Sequence, residues 1–221
     1  MVSLAVIFDF DGVILDSETP EYEAHRSIFE EHGLDLTIEE WCERVGLWPS
    51  DSAGWFDRLS ARSGRPPDRA AFLADTSRRF NELVRMVPMP GVRNLLDELS
   101  GAGVPLAIAS AAPDRWVGRA IDAIGIRSYF QAIVTGNEVS RVKPAPDVYL
   151  EAARRLDVRP HRAIAVEDSS PGLAAAKAAG MRTIVIPHPL TERHDLSAAD
   201  LRVRHAGQVT LEVLHALVAQ G

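Results

Sequence analysis

The sequence predicts an α/β fold in which a Rossmann-like, doubly wound parallel sheet forms a core and an all-helical segment is inserted. Three observations support this prediction. The apolar run from Leu4 to Phe8 is typical of a strand buried on both faces. Residues 17–87 show only helical patterns. From residue 92 onward, short apolar runs alternate with helical patterns, as in βαβ units with right-handed crossovers.

The predicted helical insert follows the first strand directly. Thr37 and Glu40 have the spacing of a capping box, which indicates that a helix begins there. Asp68 is expected to cap a long helix that ends near Met86. The four predicted helices span about residues 18–31, 37–45, 50–63 and 68–86.

This order of elements predicts two domains. Residues 1–16 and 88–221 should form the α/β core, and residues 17–87 should form a helical cap domain. The insert leaves the core at the carboxyl end of the first strand, where a lid would lie. The connections Leu15–Glu18 and Val87–Gly91 are therefore the predicted hinges.

Composition narrows the classes of function. The 221 residues carry a formal net charge of −7, which argues against nucleic-acid and membrane partners because either would favour a basic patch. Cys42 is the only cysteine, so no internal disulfide is possible and a reducing compartment is expected. Neither a secretory signal nor a membrane span is evident. We expect a cytoplasmic monomer, and a dimer is left open.

Polar side chains follow four of the predicted strands. Ligands of open α/β sheets bind outside the carboxyl ends of the strands, so these side chains are expected to meet. Several carboxylates at one place repel each other, and a hard divalent cation such as Mg²⁺ relieves that repulsion. The residues in question are Asp9, Asp11, Ser110, Lys143, Glu167 and Asp168.

Each of these motifs also has a plainer interpretation when it is taken alone. Ser110 could be a helix N-cap and Lys143 a solvated loop charge. Ser169 or Ser170 is expected to cap the helix that follows the second acidic pair. Lys177, the other lysine of the chain, is expected to be a solvated charge. Convergence of four motifs on one sheet edge favours a functional site.

The segment Asp9–Glu18, with the sequence DFDGVILDSE, resembles the first motif of the haloacid dehalogenase (HAD) superfamily in its phosphatase and phosphomutase branch. The segments Ile108–Ala112, Arg141–Asp147 and Glu167–Asp168 extend the resemblance over nearly the whole chain. The resemblance implies a Mg²⁺-dependent phosphatase with a small helical cap. Its substrate would be a small phosphomonoester, such as a sugar phosphate or a related metabolite.

The resemblance also implies catalytic and metal-binding roles. Asp9 would attack phosphorus and form an aspartyl-phosphate. Asp11 would protonate the leaving alcohol and then activate water. Mg²⁺ would be held by Asp9, by the backbone carbonyl of Asp11 and by Asp168, with Glu167 as a further ligand or in contact with one.

Substrate-binding roles follow from the same resemblance. Ser110 would donate to a phosphoryl oxygen, with backbone N–H groups near Ala111 helping, and Lys143 would neutralise the nucleophile and the transferring group. Substrate selection is expected to lie in the cap. The candidates there are Glu18, Arg44, Gly46 and Trp48.

Two alternatives remain open at this point. A β-phosphoglucomutase shares the cap and all four motifs, but its members usually carry a His and a Lys where this chain has Glu21 and Val45. A catalytically idle HAD-fold binding protein would have no need of Asp11 as a proton carrier. We therefore favour hydrolysis of a small phosphomonoester.

Overall fold

The computed structural model describes residues 4–43, 52–65 and 67–219. In this part of the chain, six parallel strands form one sheet. They are β1 (Ala5–Phe8), β2 (Leu106–Ala109), β3 (Ala132–Val134), β4 (Ala163–Glu167), β5 (Arg182–Val185) and β6 (Leu201–Arg202). The strand order is β3-β2-β1-β4-β5-β6. The predicted α/β fold class is confirmed.

The order of the strands places a topological switch point at β1. Val6 of β1 lies opposite Leu106 of β2 on one side and opposite Ile164 of β4 on the other. After β1, the chain forms β2 and β3 on one side of it and then β4, β5 and β6 on the other side. The crevice at such a switch point is where open α/β sheets bind ligands.

The described residues form helices on both faces of the sheet and in the insert. In the insert they are α1 (Glu18–Glu31), α2 (Ile38–Cys42), α3 (Ser52–Arg62) and α4 (Arg69–Leu83). Around the sheet they are α5 (Val92–Gly101), α6 (Asp114–Ile124), α7 (Asp147–Arg155), α8 (Ser170–Ala178) and α9 (Leu211–Ala219). No helix in the described ranges is both long and apolar enough to cross a lipid bilayer.

Alternation along β1 builds two apolar layers, because successive side chains of a strand point to opposite faces. Val6 and Phe8 belong to the cluster that contains residues of α5, α6 and α9. Ala5 and Ile7 belong to the cluster on α7 and α8. Each fully buried large side chain contributes roughly 1.5–3 kcal/mol to the stability of this core.

The inserted helices have an apolar cluster of their own. Trp41 and Trp55 stack with their ring centroids 5.0 Å apart, and Phe29 and Phe72 are buried beside them. Leu190, which follows β5, also joins this cluster. Leu190 belongs to the predicted core but packs among the inserted helices. The division of the chain into two domains therefore stays a prediction.

In the insert, two predicted helix starts are confirmed and one predicted helix end is wrong. The capping box at Thr37 and Glu40 is present, and Asp68 accepts a hydrogen bond from the Ala71 N–H at the start of α4. The predicted end of this helix near Met86 is wrong, because α4 ends at Leu83 and Val84 is already extended. Isolated bridges and backbone bonds then tie residues 14–15 to residues 88–89, so the two predicted hinge segments lie side by side.

Candidate active site

The first acidic pair lies where β1 leaves the sheet. The Asp9 N–H still donates to the Val166 carbonyl at 2.9 Å, so Asp9 is held in strand register. The chain then turns at Gly12, whose φ is +77°. A Cβ atom on Gly12 would lie 2.5 Å from Asp168 Oδ2, so a side chain there would collide with the second acidic pair. Glycine therefore serves both the turn and the close approach.

A buried lysine joins the two acidic motifs. Lys143 Nζ lies 2.7 Å from Asp9 Oδ1 and 2.7 Å from Glu167 Oε1, and the residue is only 4% exposed. Burial raises the pKa of Asp9 to about 7 against the opposing charge of Lys143. Burial alone would lower the pKa of Lys143, but the two carboxylates together raise it above its ordinary value. The Lys143 side chain is therefore an ammonium.

Asp11 lies in a different environment from Asp9. Its Oδ1 accepts hydrogen bonds from Ser17 Oγ at 2.6 Å and from Trp116 Nε1 at 2.8 Å. Ser110 Oγ lies 3.4 Å from its Oδ2. Burial raises the pKa of Asp11 above its ordinary value, although these donors oppose the shift. A carboxyl group held in this way suits proton transfer better than attack on phosphorus.

Glu167 lies beneath the lysine and is completely buried. Besides Lys143, its carboxylate accepts hydrogen bonds from the Tyr149 hydroxyl, the Asp168 N–H and the Ser169 hydroxyl. A Cβ atom on Gly172 would lie 2.0 Å from Glu167 Oε2, so α8 can approach only because it has a glycine there. These contacts fix the Glu167 carboxylate against Lys143.

The donor set at this edge of the sheet fits a hard cation. Asp9, Glu167 and Asp168 are buried and each offers a carboxylate oxygen, and these oxygens lie within 4.8 Å of one another. Burial raises the pKa of Asp168 well above its ordinary value, and Glu167 and Asp9 add to the shift. One ammonium faces three carboxylates, so a divalent cation would relieve an excess of negative charge.

The structure brings together most of the predicted residues. Asp9, Asp11, Ser110, Lys143, Glu167 and Asp168 meet at the carboxyl edge of the sheet. Glu18 begins α1, and the charges of Glu21, Asp168, Asp11 and Asp9 add to burial in raising its pKa. Ala111 lies in the loop after β2, next to Ser110. The predicted candidates Arg44, Gly46 and Trp48 lie outside the described residues.

Three contacts of the site are not predicted by any of the four motifs. Tyr149 bonds Glu167, Trp116 bonds Asp11, and Thr191 Oγ1 donates to Asp168 Oδ2 at 3.2 Å. Trp116 and Tyr149 lie on helices whose rotation relative to the sheet is not readable from hydrophobic periodicity alone. Thr191 lies in a loop that follows β5. A buried tyrosine or tryptophan usually finds a polar partner, which was the one clue available.

A family model for haloacid dehalogenase-like hydrolases matches residues 6–186. The match covers most of the chain and contains all four predicted motifs. The chain belongs to the haloacid dehalogenase-like hydrolase family. The predicted family and the predicted class, a HAD-superfamily hydrolase, are confirmed.

Individual relatives are similar to this hydrolase over nearly its whole length. YhcW of Bacillus subtilis (strain 168) is 35% identical over 213 residues, which cover 95% of each protein. A Thermotoga maritima protein named phosphorylated carbohydrates phosphatase is 30% identical over 190 residues, 85% of this chain and 87% of the relative. The structure of a CbbY mutant from Rhodobacter sphaeroides in complex with xylulose-(1,5)bisphosphate has a TM-score of 0.77 at 29% identity and covers 97% of this chain and 99% of that one.

Proposed function

We propose that this hydrolase is a Mg²⁺-dependent phosphatase that cleaves a small phosphorylated carbohydrate or a related metabolite through an aspartyl-phosphate on Asp9. The observation that carries the proposal is the buried ammonium of Lys143, 2.7 Å from Asp9 Oδ1. It favours the ionised form of a carboxylate whose burial would otherwise protonate it. An ionised Asp9 beside a fixed positive charge suits attack on a phosphoryl group.

Asp9 and Asp11 would divide the chemistry between them. In the first step, a carboxylate oxygen of Asp9 forms a bond to phosphorus while the bond from phosphorus to the alcohol oxygen breaks. Asp11 gives its proton to that oxygen, so an alcohol leaves. In the second step, water attacks phosphorus and gives a proton to Asp11, and inorganic phosphate leaves while the Asp9 carboxylate is restored.

The remaining polar residues would position and neutralise the phosphoryl group. Lys143 would lie against its charge, Ser110 would donate to an oxygen, and Glu167 would hold Lys143 in place. Asp9, the backbone carbonyl of Asp11 and Asp168 would hold Mg²⁺. When it is bound, this ion neutralises part of the negative charge that phosphoryl transfer develops.

We propose that α1–α4 act as a cap over this site. Two contacts support the proposal. Ser17, the residue that precedes α1, does not cap that helix and donates to Asp11 instead. Phe80 of α4 packs against Trp116, which also contacts Asp11. Residues of the insert would thus select the substrate, with Glu18, Arg44, Gly46 and Trp48 as the candidates.

A panel of phosphate esters tests the activity. Pentose, hexose and hexitol phosphates would be offered with Mg²⁺ and, separately, with EDTA. We expect phosphate release that requires Mg²⁺ and is lost in Asp9→Asn. Acid quenching with ³²P-labelled substrate should recover label on wild type and none on Asp9→Asn. Turnover by Asp9→Asn at the wild-type rate would refute the mechanism, and release from no ester would favour the binding protein.

A phosphomutase predicts a different product from the same assay. β-Glucose 1-phosphate would become the 6-phosphate without net release of phosphate.

The metal site has a test that does not depend on activity. Mg²⁺ should raise the melting temperature of wild type, and Asp168→Asn should weaken that shift. An equal shift in Asp168→Asn would exclude this carboxylate as a ligand.

A further inference from the structure

The side chain of Trp116 lies between the catalytic acid and the inserted helices. Trp116 is in the first turn of α6, and its Nε1 donates to Asp11 Oδ1 at 2.8 Å. Ser17 Oγ donates to the same oxygen at 2.6 Å. Among the described residues, the contact to the other oxygen, Oδ2, is the longer one of 3.4 Å from Ser110 Oγ.

The chemistry of the indole group makes the two oxygens of Asp11 unequal. An indole N–H is a donor and never an acceptor. Oδ1 accepts short hydrogen bonds from both Trp116 and Ser17, and a proton on Oδ1 would take one of the two in-plane lone pairs that these donors use. The indole cannot reverse its bond, so the Ser17 bond would have to be reversed, whereas a proton on Oδ2 leaves both bonds intact. The proton of the neutral Asp11 carboxyl group is therefore directed to Oδ2. The Ser110 hydroxyl, which can accept as well as donate, tolerates a proton there.

Packing holds the indole in this orientation. The Phe80 ring of α4 lies edge-on to it with centroids 5.1 Å apart, and the Arg119 guanidinium lies 5.2 Å from its centre. Arg119 in turn donates to the Asn81 side chain at 3.0 Å. The ring is thus fixed by contacts that reach into the insert, so the donor stays aimed at Asp11.

We propose that Trp116 is a positioning residue that orients Asp11 so that Oδ2 carries the proton to the leaving group. This inference rests on the proposed phosphatase function. In the first step, the Oδ2–H bond breaks as the proton bonds to the leaving oxygen, and the electron pair of the broken phosphorus–oxygen bond stays with that oxygen. In the second step, Oδ2 takes a proton from the attacking water. Through both steps Oδ1 remains an acceptor for Trp116.

The dependence on the leaving group tests this role. An alkoxide needs a proton to leave, whereas p-nitrophenolate is a weak base and leaves without one. We expect Trp116→Phe to lower kcat/KM for an alkyl phosphate by about tenfold to a hundredfold, and for p-nitrophenyl phosphate by less than about threefold. Asp11→Asn, which removes the acid itself, should show the same pattern more strongly. Equal losses on both esters, or no loss on either, would overturn the proposal.

Two matched variants separate the donor from the packing. In Trp116→His, Nε2 takes the place in the five-membered ring that Nε1 has in tryptophan, so the donor is kept and the outer ring is lost. We expect it to recover most of the activity on alkyl esters. Phe80→Leu keeps the donor but loosens the packing that aims it, so it should lower kcat/KM for the alkyl ester by less than Trp116→Phe does. A His variant as selective against alkyl esters as the Phe variant would contradict the role of the N–H.

A spectroscopic measurement requires neither turnover nor a stable Trp116 variant. The chain has four tryptophans, and ¹⁵N labelling gives one indole N–H signal for each. Asp11→Asn changes the group that accepts from the Trp116 N–H and should shift one of these signals. If none moves, the contact is absent in solution and the inference fails. Absence of phosphate release from wild type would instead refute the proposed function, whatever this spectrum shows.

Discussion

His25 allows a stability prediction that depends only on burial. It lies on α1 with no exposed surface, and the rings of Trp41, Trp55 and Phe72 surround it at centroid distances of 5.3, 6.2 and 5.9 Å. Its Nδ1 donates to the Glu21 carbonyl at 2.8 Å, and its Nε2 has no partner among the described residues. Burial lowers the pKa of His25 from 6.5 to about 4.

The pKa difference converts directly into a dependence of stability on pH. The unfolded chain takes up a proton on His25 at a higher pH than the folded chain, so stability falls as the pH falls from about 6.5 to about 4. The full difference corresponds to about 3 kcal/mol, of which about 2 kcal/mol is lost between pH 7 and pH 5. Below about pH 4 the loss levels off, because both states are then protonated.

Urea unfolding of wild type and His25→Phe between pH 7 and pH 5 measures this effect. The phenyl ring fits the aromatic surroundings and cannot titrate, so the variant should lose about 2 kcal/mol less than wild type over this range. Leu96→Ala is the control, since it weakens a separate apolar cluster that contains neither His25 nor its aromatic neighbours. Its deficit relative to wild type should not change with pH. A difference between wild type and His25→Phe that stayed constant from pH 7 to pH 5 would refute the reasoning.

Three further substitutions test the core of the site and the sheet edge. Lys143→Met leaves two buried carboxylates without their cation, and should cost about 3–5 kcal/mol in urea unfolding and at least about 100-fold in phosphate release. Gly172→Ala would put a methyl group 2.0 Å from a buried carboxylate oxygen and should lower both stability and activity, whereas Gly101→Ala, with open space around it, should lower neither. Asp200→Asn breaks an ion pair of 2.8 Å with Lys177 and should cost about 1–3 kcal/mol at pH 7. Burial would raise the pKa of Asp200, but its hydrogen bonds and ion pairs lower it below the ordinary value. The loss of stability in Asp200→Asn should therefore become smaller when unfolding is measured below about pH 4.

The elements that were predictable are those whose signals are local. The run before Asp9 is apolar at every position because β1 is covered on both faces, and the strand is found there. The capping box at Thr37 is confirmed because its two hydrogen bonds join residues within one turn. Ser169 accepts from the Gly172 N–H, as expected for a helix cap.

Predictions that depended on distant partners fared less well. Lys177 was expected to be a solvated charge, and this is wrong, because its Nζ lies 2.8 Å from Asp200 Oδ2. The partner follows β5 and is more than twenty residues away, so no spacing rule relates the two. The roles predicted for Asp9, Asp11 and the other site residues stay predictions, although their meeting at one edge of the sheet is observed.

The sequence alone determined the strand–helix alternation, the edge of the sheet at which the polar side chains gather and the acids that meet there. Hydrophobic period and chain order carry that information, because parallel strands in a wound sheet all present their carboxyl ends to one edge. Only the tertiary structure decided which donors surround each acid: Lys143 beside Asp9, and Ser17 with Trp116 on Asp11. Those contacts depend on how far each helix rotates and how closely it packs on the sheet, and pairwise packing between distant residues leaves no periodic signal in the chain.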